Sequence, residues 1–289
     1  MAGARSRSAC FTFTIALLDD ETITMNAVIL IPARFQSSRY PGKPLVELKG
    51  ANGTAKPLIR RSVEAARRVR GVSGVFVTTD DERIADACAA FGVGVIMTSS
   101  ECRNGTERCA EALASLHGPD LVINFQGDAL LTPPRFVESL IARMNDDSGA
   151  LVGTPAMCLR SDEVRALQDE EAAGRVGGTS VVTDARGHAL YFSKRLIPHL
   201  PKGALDADLS PVRLHVGVYA YRPEALERYI TTPVSELETL EGLEQLRFLV
   251  AGVPVAVVDV DPPPFTLREL NNPEDVVPIE QALAEAGLE

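Results

Sequence analysis

The sequence predicts an α/β fold with a mostly parallel sheet, and three observations carry that reading. Between residues 27 and 125, continuous β-favouring runs alternate with helical stretches, the pattern of strands covered on both faces by crossover helices. Each run ends in a short polar loop, as expected where the carboxyl ends of such strands gather ligands. Past Ser180 the texture changes to short strands around a tight turn, which predicts a β-hairpin lobe inserted into the α/β core.

The first run, residues 27–31, is apolar throughout and opens into Pro32-Ala33-Arg34. A helical stretch over 57–70 leads to a strand at 75–79, followed by Asp80-Asp81 and a helix reaching residue 90. A strand at 93–97, a helix over about 106–116 and a strand at 121–125 repeat the unit and end on Gln126-Gly127-Asp128. Arg34, Asp80 and Asp128 therefore fall on one edge of the predicted sheet. Residues 180–183 and 189–192 flank the turn Asp184-Ala185-Arg186-Gly187, and residues 254–260 return to a strand. Between them, residues 237–251 read as one amphipathic helix with leucines at 237, 240, 243 and 246. Residues 25–289 thus read as a single domain, with the lobe at about 155–235.

A chain of 289 residues with 45% hydrophobic and 24% charged side chains can bury a substantial core. Its formal net charge of −10 argues against nucleic-acid binding, so any anion it takes must meet local positive charge. Five cysteines without a CxxC or Cys/His metal spacing form no closed disulfide framework and point to a reducing, cytoplasmic setting. No apolar run approaches the ~20 residues of a membrane span. Residues 1–24 start basic, but their short apolar piece runs into Asp19, Asp20 and Glu21, a poor signal peptide. They read as a disordered leader or a mis-assigned start, and a chain beginning at Met25 is expected to fold and keep its activity.

The most informative segment spans residues 31–45, Ile-Pro-Ala-Arg-Phe-Gln-Ser-Ser-Arg-Tyr-Pro-Gly-Lys-Pro-Leu. Its Arg34, Arg39 and Lys43 could neutralise a triphosphate, and Gly42 permits close backbone approach. A generic Arg/Lys cluster is more often a solvated basic loop; here the order of the residues carries the argument. That order resembles the signature of sugar-nucleotide cytidylyltransferases. Further matches follow in the same sequence across most of residues 25–284: Thr-Thr-Asp-Asp-Glu-Arg-Ile at 78–84, Asn-Gly-Thr-Glu-Arg-Cys-Ala-Glu at 104–111 and Asn-Phe-Gln-Gly-Asp at 124–128. Downstream, the segments at 189–198, 215–222 and 237–247 resemble the sugar-binding and dimer lobe of the 3-deoxy-manno-octulosonate (Kdo) cytidylyltransferase family.

The resemblance implies a Rossmann-like nucleotide-diphospho-sugar transferase fold. It also implies transfer of CMP from CTP to the anomeric hydroxyl of Kdo or a related 3-deoxy-2-ulosonic acid, with magnesium as cofactor and pyrophosphate leaving. Arg34, Lys43 and Asp128 would act at the phosphates. Ala33, Ser38, Arg39, Asp80, Gly105, Thr106, Arg108 and Gln126 would complete the nucleotide site. Tyr191, Lys194, His215, Tyr219, Glu238, Glu241 and Gln245 would face the sugar, and Asp128 with Asn271 would hold the metal. A homodimer built through the lobe is implied as well.

Each residue also has an ordinary reading. Asp128 could cap a turn, His215 could be a satisfied structural histidine, and Glu238 and Glu241, three apart on a helix, could face solvent. The sequence also departs from the family. Asn271-Asn-Pro-Glu-Asp275 stands where Asp-Thr-Pro-Glu-Asp is usual, so one metal-binding carboxylate has become a neutral amide. Magnesium affinity should then weaken unless a neighbouring acid such as Glu269 or Asp275 compensates. Ala129-Leu130 replaces Glu-Pro, Cys102 a histidine and Ser180 a lysine. These differences define a divergent branch, and leave open a sialic-acid-type enzyme or a catalytically impaired CTP-binding protein.

Overall fold

A computed structural model describes residues 25–37 and 39–289; the leader 1–24 and Ser38 lie outside the described residues. The first apolar run forms β1 (Ala27–Pro32), and Glu47–Lys49 (β2) pairs with Ala55–Pro57 (β3) in a small separate ribbon. Then come α1 (Leu58–Ala66), β4 (Gly74–Thr79), α2 (Glu82–Ala90), β5 (Gly94–Met97), α3 (Gly105–Leu113) and β6 (Leu121–Phe125). The middle of the chain supplies α4 (Pro134–Asp146), β7 (Val152–Arg160), α5 (Ser161–Ala172), β8 (Ser180–Thr183), β9 (Ala189–Ser193), β10 (Leu209–His215) and β11 (Val218–Tyr221). It closes with α6 (Pro223–Thr231), α7 (Glu236–Glu241), α8 (Leu246–Val250), β12 (Val255–Val260) and α9 (Val276–Glu285). None of these helices is long and apolar enough to cross a membrane.

Among the described residues the main sheet has ten strands in the order β5-β4-β1-β6-β11-β7-β10-β8-β9, with β12 alongside β7. β5, β4, β1 and β6 are parallel neighbours, as their continuous apolar runs predict. β11, β10 and β9 run the other way, so the sheet is mixed but mostly parallel. Alternate side chains serve opposite faces. Ile29, Ile31, Ile123 and Phe125 join one apolar layer with Val63, Phe136 and Leu140 from α1 and α4. Leu30, Val122, Tyr219 and Tyr221 join another with Cys109, Leu226 and Phe248 from α3, α6 and α8.

The expected β8–β9 hairpin is present and extends the main sheet through β10. The reason lies in β7, nine residues long, which pairs with β12 along one edge and with β11 and then β10 along the other. The helix read over 237–251 is two helices. Gly242 adopts a left-handed φ of 59° and ends α7, and its N–H donates to the Glu238 carbonyl. Leu243 and Leu246 are consequently buried while Leu240 is 74% exposed, so the leucine repeat does not make one stripe.

Candidate active site

A cavity of about 980 Å³ opens beyond the carboxyl ends of β1 and β6. The chain runs from β1 outward through β4 and β5 and then returns to place β6 on the other side of β1. That reversal leaves a crevice at the strand ends, the position where open α/β sheets bind ligands. The β10–β11 connection and the α7–α8 turn form the opposite wall. The volume lies at the upper end of the ~300–1,000 Å³ typical of small-molecule pockets, as two substrates require.

The loop after β1 is tied down before it presents its cations. The Ala33 N–H donates to the Thr78 carbonyl at 2.9 Å, and the Gly42 N–H closes back on Phe35 at 2.8 Å. Gly42 has φ 74°, and a Cβ there would lie 3.1 Å from the Phe35 ring, so any side chain would strain the backbone and crowd that ring. The Arg83 guanidinium stacks 3.3 Å from the centre of the same ring. Arg34, Arg39 and Lys43 line the cavity from this loop, and Lys43 Nζ donates to Asp128 Oδ2 at 2.6 Å. Asp128 is brought close by Gly127, where a Cβ would meet the Pro32 carbonyl at 2.8 Å. Ser62 Oγ donates to the Gly127 carbonyl at 2.8 Å and holds the turn.

Beside this loop, the amino end of α3 is capped by Asn104, whose Oδ1 accepts from the Glu107 N–H and whose Nδ2 donates to Tyr229. Gly105, Arg108 and Gln126 line the cavity, whereas Thr106 and Asp80 do not. Thr106 is fully buried with its hydroxyl 2.9 Å from that of Tyr221, and Asp80 ion-pairs with Arg108 at 3.3 Å. These two residues support the wall from behind instead of presenting atoms to it.

Of the residues expected on the sugar side, Lys194, His215, Tyr219 and Gln245 line the cavity; Tyr191, Glu238 and Glu241 do not. Glu241 accepts from Tyr191, Ser193 and the Lys194 N–H, at 3.3, 2.8 and 2.9 Å, and so anchors the end of β9 where Lys194 enters the cavity. Glu238 is buried against Arg247, nine residues on. His215 Nε2 lies 2.9 Å from Thr154 Oγ1, and burial pushes the imidazole down to about 3, so it is neutral. The Gln245 amide nitrogen is buried at the cavity wall with no hydrogen-bond partner among the described residues.

Residues 28–257 match the family model described as Cytidylyltransferase. The chain belongs to this family. It is 38% identical over 264 residues to 3-deoxy-manno-octulosonate cytidylyltransferase of Maricaulis maris (strain MCS10), spanning 91% of this chain and 99% of that protein. It is also 38% identical over 264 residues to 8-amino-3,8-dideoxy-manno-octulosonate cytidylyltransferase of Shewanella piezotolerans (strain WP3 / JCM 13877), covering 90% and 99%. Its structure matches that of CMP:2-keto-3-deoxy-manno-octonic acid synthetase complexed with CTP, with TM-score 0.77 and 36% identity over 90% of this chain and 99% of the other. The α/β nucleotidyltransferase fold and the enzyme class expected from the motifs are thereby shown.

This cytidylyltransferase carries two cavity carboxylates, Glu244 and Glu269, that the motifs did not assign to the site. Glu244 is brought in by the break at Gly242, and its Oε2 accepts from the Thr106 N–H at 3.4 Å. Burial pushes its carboxyl up to about 7. Glu269 is solvent-accessible within the cleft; the Asp128 carboxylate, and then loss of bulk water, push it up to about 7. Asn271 also lines the cavity, two residues along the chain from Glu269. Asp275 is spent on the Asn271 and Asn272 N–H groups at 2.9 and 2.7 Å.

The raised pKa of Glu244 has a definite sign. The folded state holds this proton more tightly than the unfolded chain, so its contribution is fully present below pH 4.5 and is lost as pH rises through about 7. Glu244→Gln removes that pH-dependent penalty and can still accept from Thr106. The variant is expected to gain roughly 1–2 kcal/mol over the parent between about pH 5 and pH 8, allowing for the solvent in the cavity. Denaturant unfolding at the two pH values checks this; an equal difference at both would refute it.

Proposed function

We propose that this enzyme transfers CMP from CTP to the anomeric hydroxyl of Kdo or a related 3-deoxy-2-ulosonic acid and releases pyrophosphate. The carrying observation is that a single cavity joins the cationic loop of Arg34, Arg39 and Lys43 to a largely neutral polar wall of His215, Tyr219 and Gln245. The first wall suits phosphates and the second a polyol. Lys194 offers a cation to the sugar's carboxylate. The relatives' substrates, a 3-deoxy-octulosonate and its 8-amino analogue, support the same assignment.

In this reading Arg34 and Lys43 offset charge on the phosphates as the sugar oxygen attacks the α-phosphorus. The Gly105 turn, Arg108 and Gln126 enclose the base, and Lys194, His215, Tyr219 and Gln245 orient the acceptor. Magnesium is the proposed cofactor. Among the described residues no three metal-binding side chains converge, so an ion here would be shared between protein carboxylates and substrate phosphates, the usual mode for Mg²⁺. Asp128 and its neighbour Glu269 supply hard oxygen donors of that kind, and the cation would neutralise phosphate charge. A cytoplasmic homodimer completes the proposal, supported by the exposed Leu190 on β9 and Leu240 on α7.

A purine in the base site would leave buried groups of the Gly105–Gln126 wall unpaired. The kcat/KM for CTP is therefore expected to exceed that for ATP or GTP by about 100-fold or more. Comparable turnover with ATP, measured as pyrophosphate release, would overturn the base assignment.

A further inference from the structure

We propose that Glu269 supplies the second anionic metal ligand of this enzyme, replacing the carboxylate that Asn271 lacks. The inference rests on the proposed metal-dependent reading of the Asp128 site. It narrows the two acids that the sequence left open to one. Asp275 is excluded because its Oδ2 already accepts from the Asn271 and Asn272 backbone N–H groups, capping the short 3-10 turn Pro273–Asp275.

Glu269 itself lines the cavity. A Cβ placed on Gly217 would sit 3.6 Å from Glu269 Oε1 and 3.8 Å from Gln126 Cγ. Glu269 therefore reaches across to the Gln126-Gly127-Asp128 turn. Among its electrostatic neighbours Asp128 is the strongest, and Lys43, already bonded to Asp128, acts on both carboxylates. Two carboxylates held close in a cleft repel each other unless a cation relieves them, and the oxygen charge they concentrate is what a hard divalent ion selects. Asn271 lines the same cavity two residues along the chain, and its neutral amide adds no charge there.

The test is direct binding of Mn²⁺, a paramagnetic substitute for Mg²⁺, to the full chain with saturating CTP, followed by electron paramagnetic resonance. Glu269→Gln is expected to weaken Mn²⁺ binding about tenfold or more, with metal-free CTP binding and thermal unfolding close to the parent. Adding Asn271→Asp to Glu269→Gln should recover most of the loss. In the parent background Asn271→Asp should change the affinity less than about threefold, since the position of the second charge is already filled. Unchanged Mn²⁺ affinity in Glu269→Gln would overturn the proposal. So would a tenfold or greater tightening in Asn271→Asp alone, which stays informative even if Glu269→Gln does not fold. Asp128→Asn in the same assay separates the two readings. If it also leaves Mn²⁺ binding intact, the metal site itself is misplaced; if it alone abolishes binding, only the role of Glu269 fails.

Discussion

Asp128→Asn is expected to reduce kcat by two to three orders of magnitude, roughly the loss seen when a catalytic electrostatic partner is removed. The substitution is nearly isosteric. Its amide oxygen can still accept from Lys43, now 2.6 Å from Oδ2, and Gly127 and Ser62 hold the backbone of the turn. Folding should therefore survive, and the change falls on charge. One formal negative charge leaves the proposed metal site, and the hydrogen bond that Lys43 keeps is no longer charge-assisted on both sides. Steady-state pyrophosphate release at saturating CTP and acceptor, over a magnesium titration, reads the effect. A magnesium requirement shifted upward with partly restored rate would match loss of a ligand, whereas full activity at ordinary magnesium would contradict the role given to Asp128.

Arg247→Leu is expected to be the most destabilising single change, by about 3–5 kcal/mol. Arg247 is 1% exposed, holds Glu238 through two hydrogen bonds, reaches Glu107 at 3.3 Å and lies 4.0 Å from the centre of the Tyr229 ring. Removing it leaves Glu238 in a protein interior without its cation and Glu107 with Arg103 alone. Glu107 also receives Arg103 at the start of α3, so the damage should spread to the Asn104–Arg108 turn that borders the cavity. For a chain of this size the drop in Tm is about 10 °C. Because the loss comes mainly from stranded charge, Arg247→Leu combined with Glu238→Gln should be more stable than Arg247→Leu alone. Thermal unfolding of the pair settles this; additive losses would show that packing, not charge, dominates.

The parts of the site that were legible in the sequence are those carried by contiguous stretches. The loop over 31–45 and the turn at 126–128 follow buried strands of one parallel sheet, so their cations and carboxylate had to meet at one edge. The sugar-side wall was less legible because its geometry depends on a single break. With residues 237–251 read as one helix, Glu238 and Glu241 appeared to share an outward face. Gly242 instead turns the chain, so that Glu238 meets Arg247, Glu241 turns to β9, and Glu244 and Gln245 enter the cavity. A glycine inside a leucine repeat was the available signal. Thr106 followed the motif but points inward to Tyr221, a contact between residues 115 positions apart that no local pattern reveals. The same holds for the hairpin: its two strands were visible locally, while their continuity with the main sheet is set by β10 and β7. Ser38 and the leader lie outside the described residues.

Mixing the purified full chain with CTP, Mg²⁺ and Kdo, alongside 8-amino-Kdo and a nine-carbon sialic acid, and measuring pyrophosphate together with the CMP-sugar formed shows which acid the enzyme activates. One pyrophosphate per CMP-sugar is expected, with turnover on an eight-carbon 3-deoxy acid and little on the nine-carbon one. Binding of CTP with no pyrophosphate released in the presence of either eight-carbon acceptor, or turnover confined to the sialic acid, would overturn the proposed function.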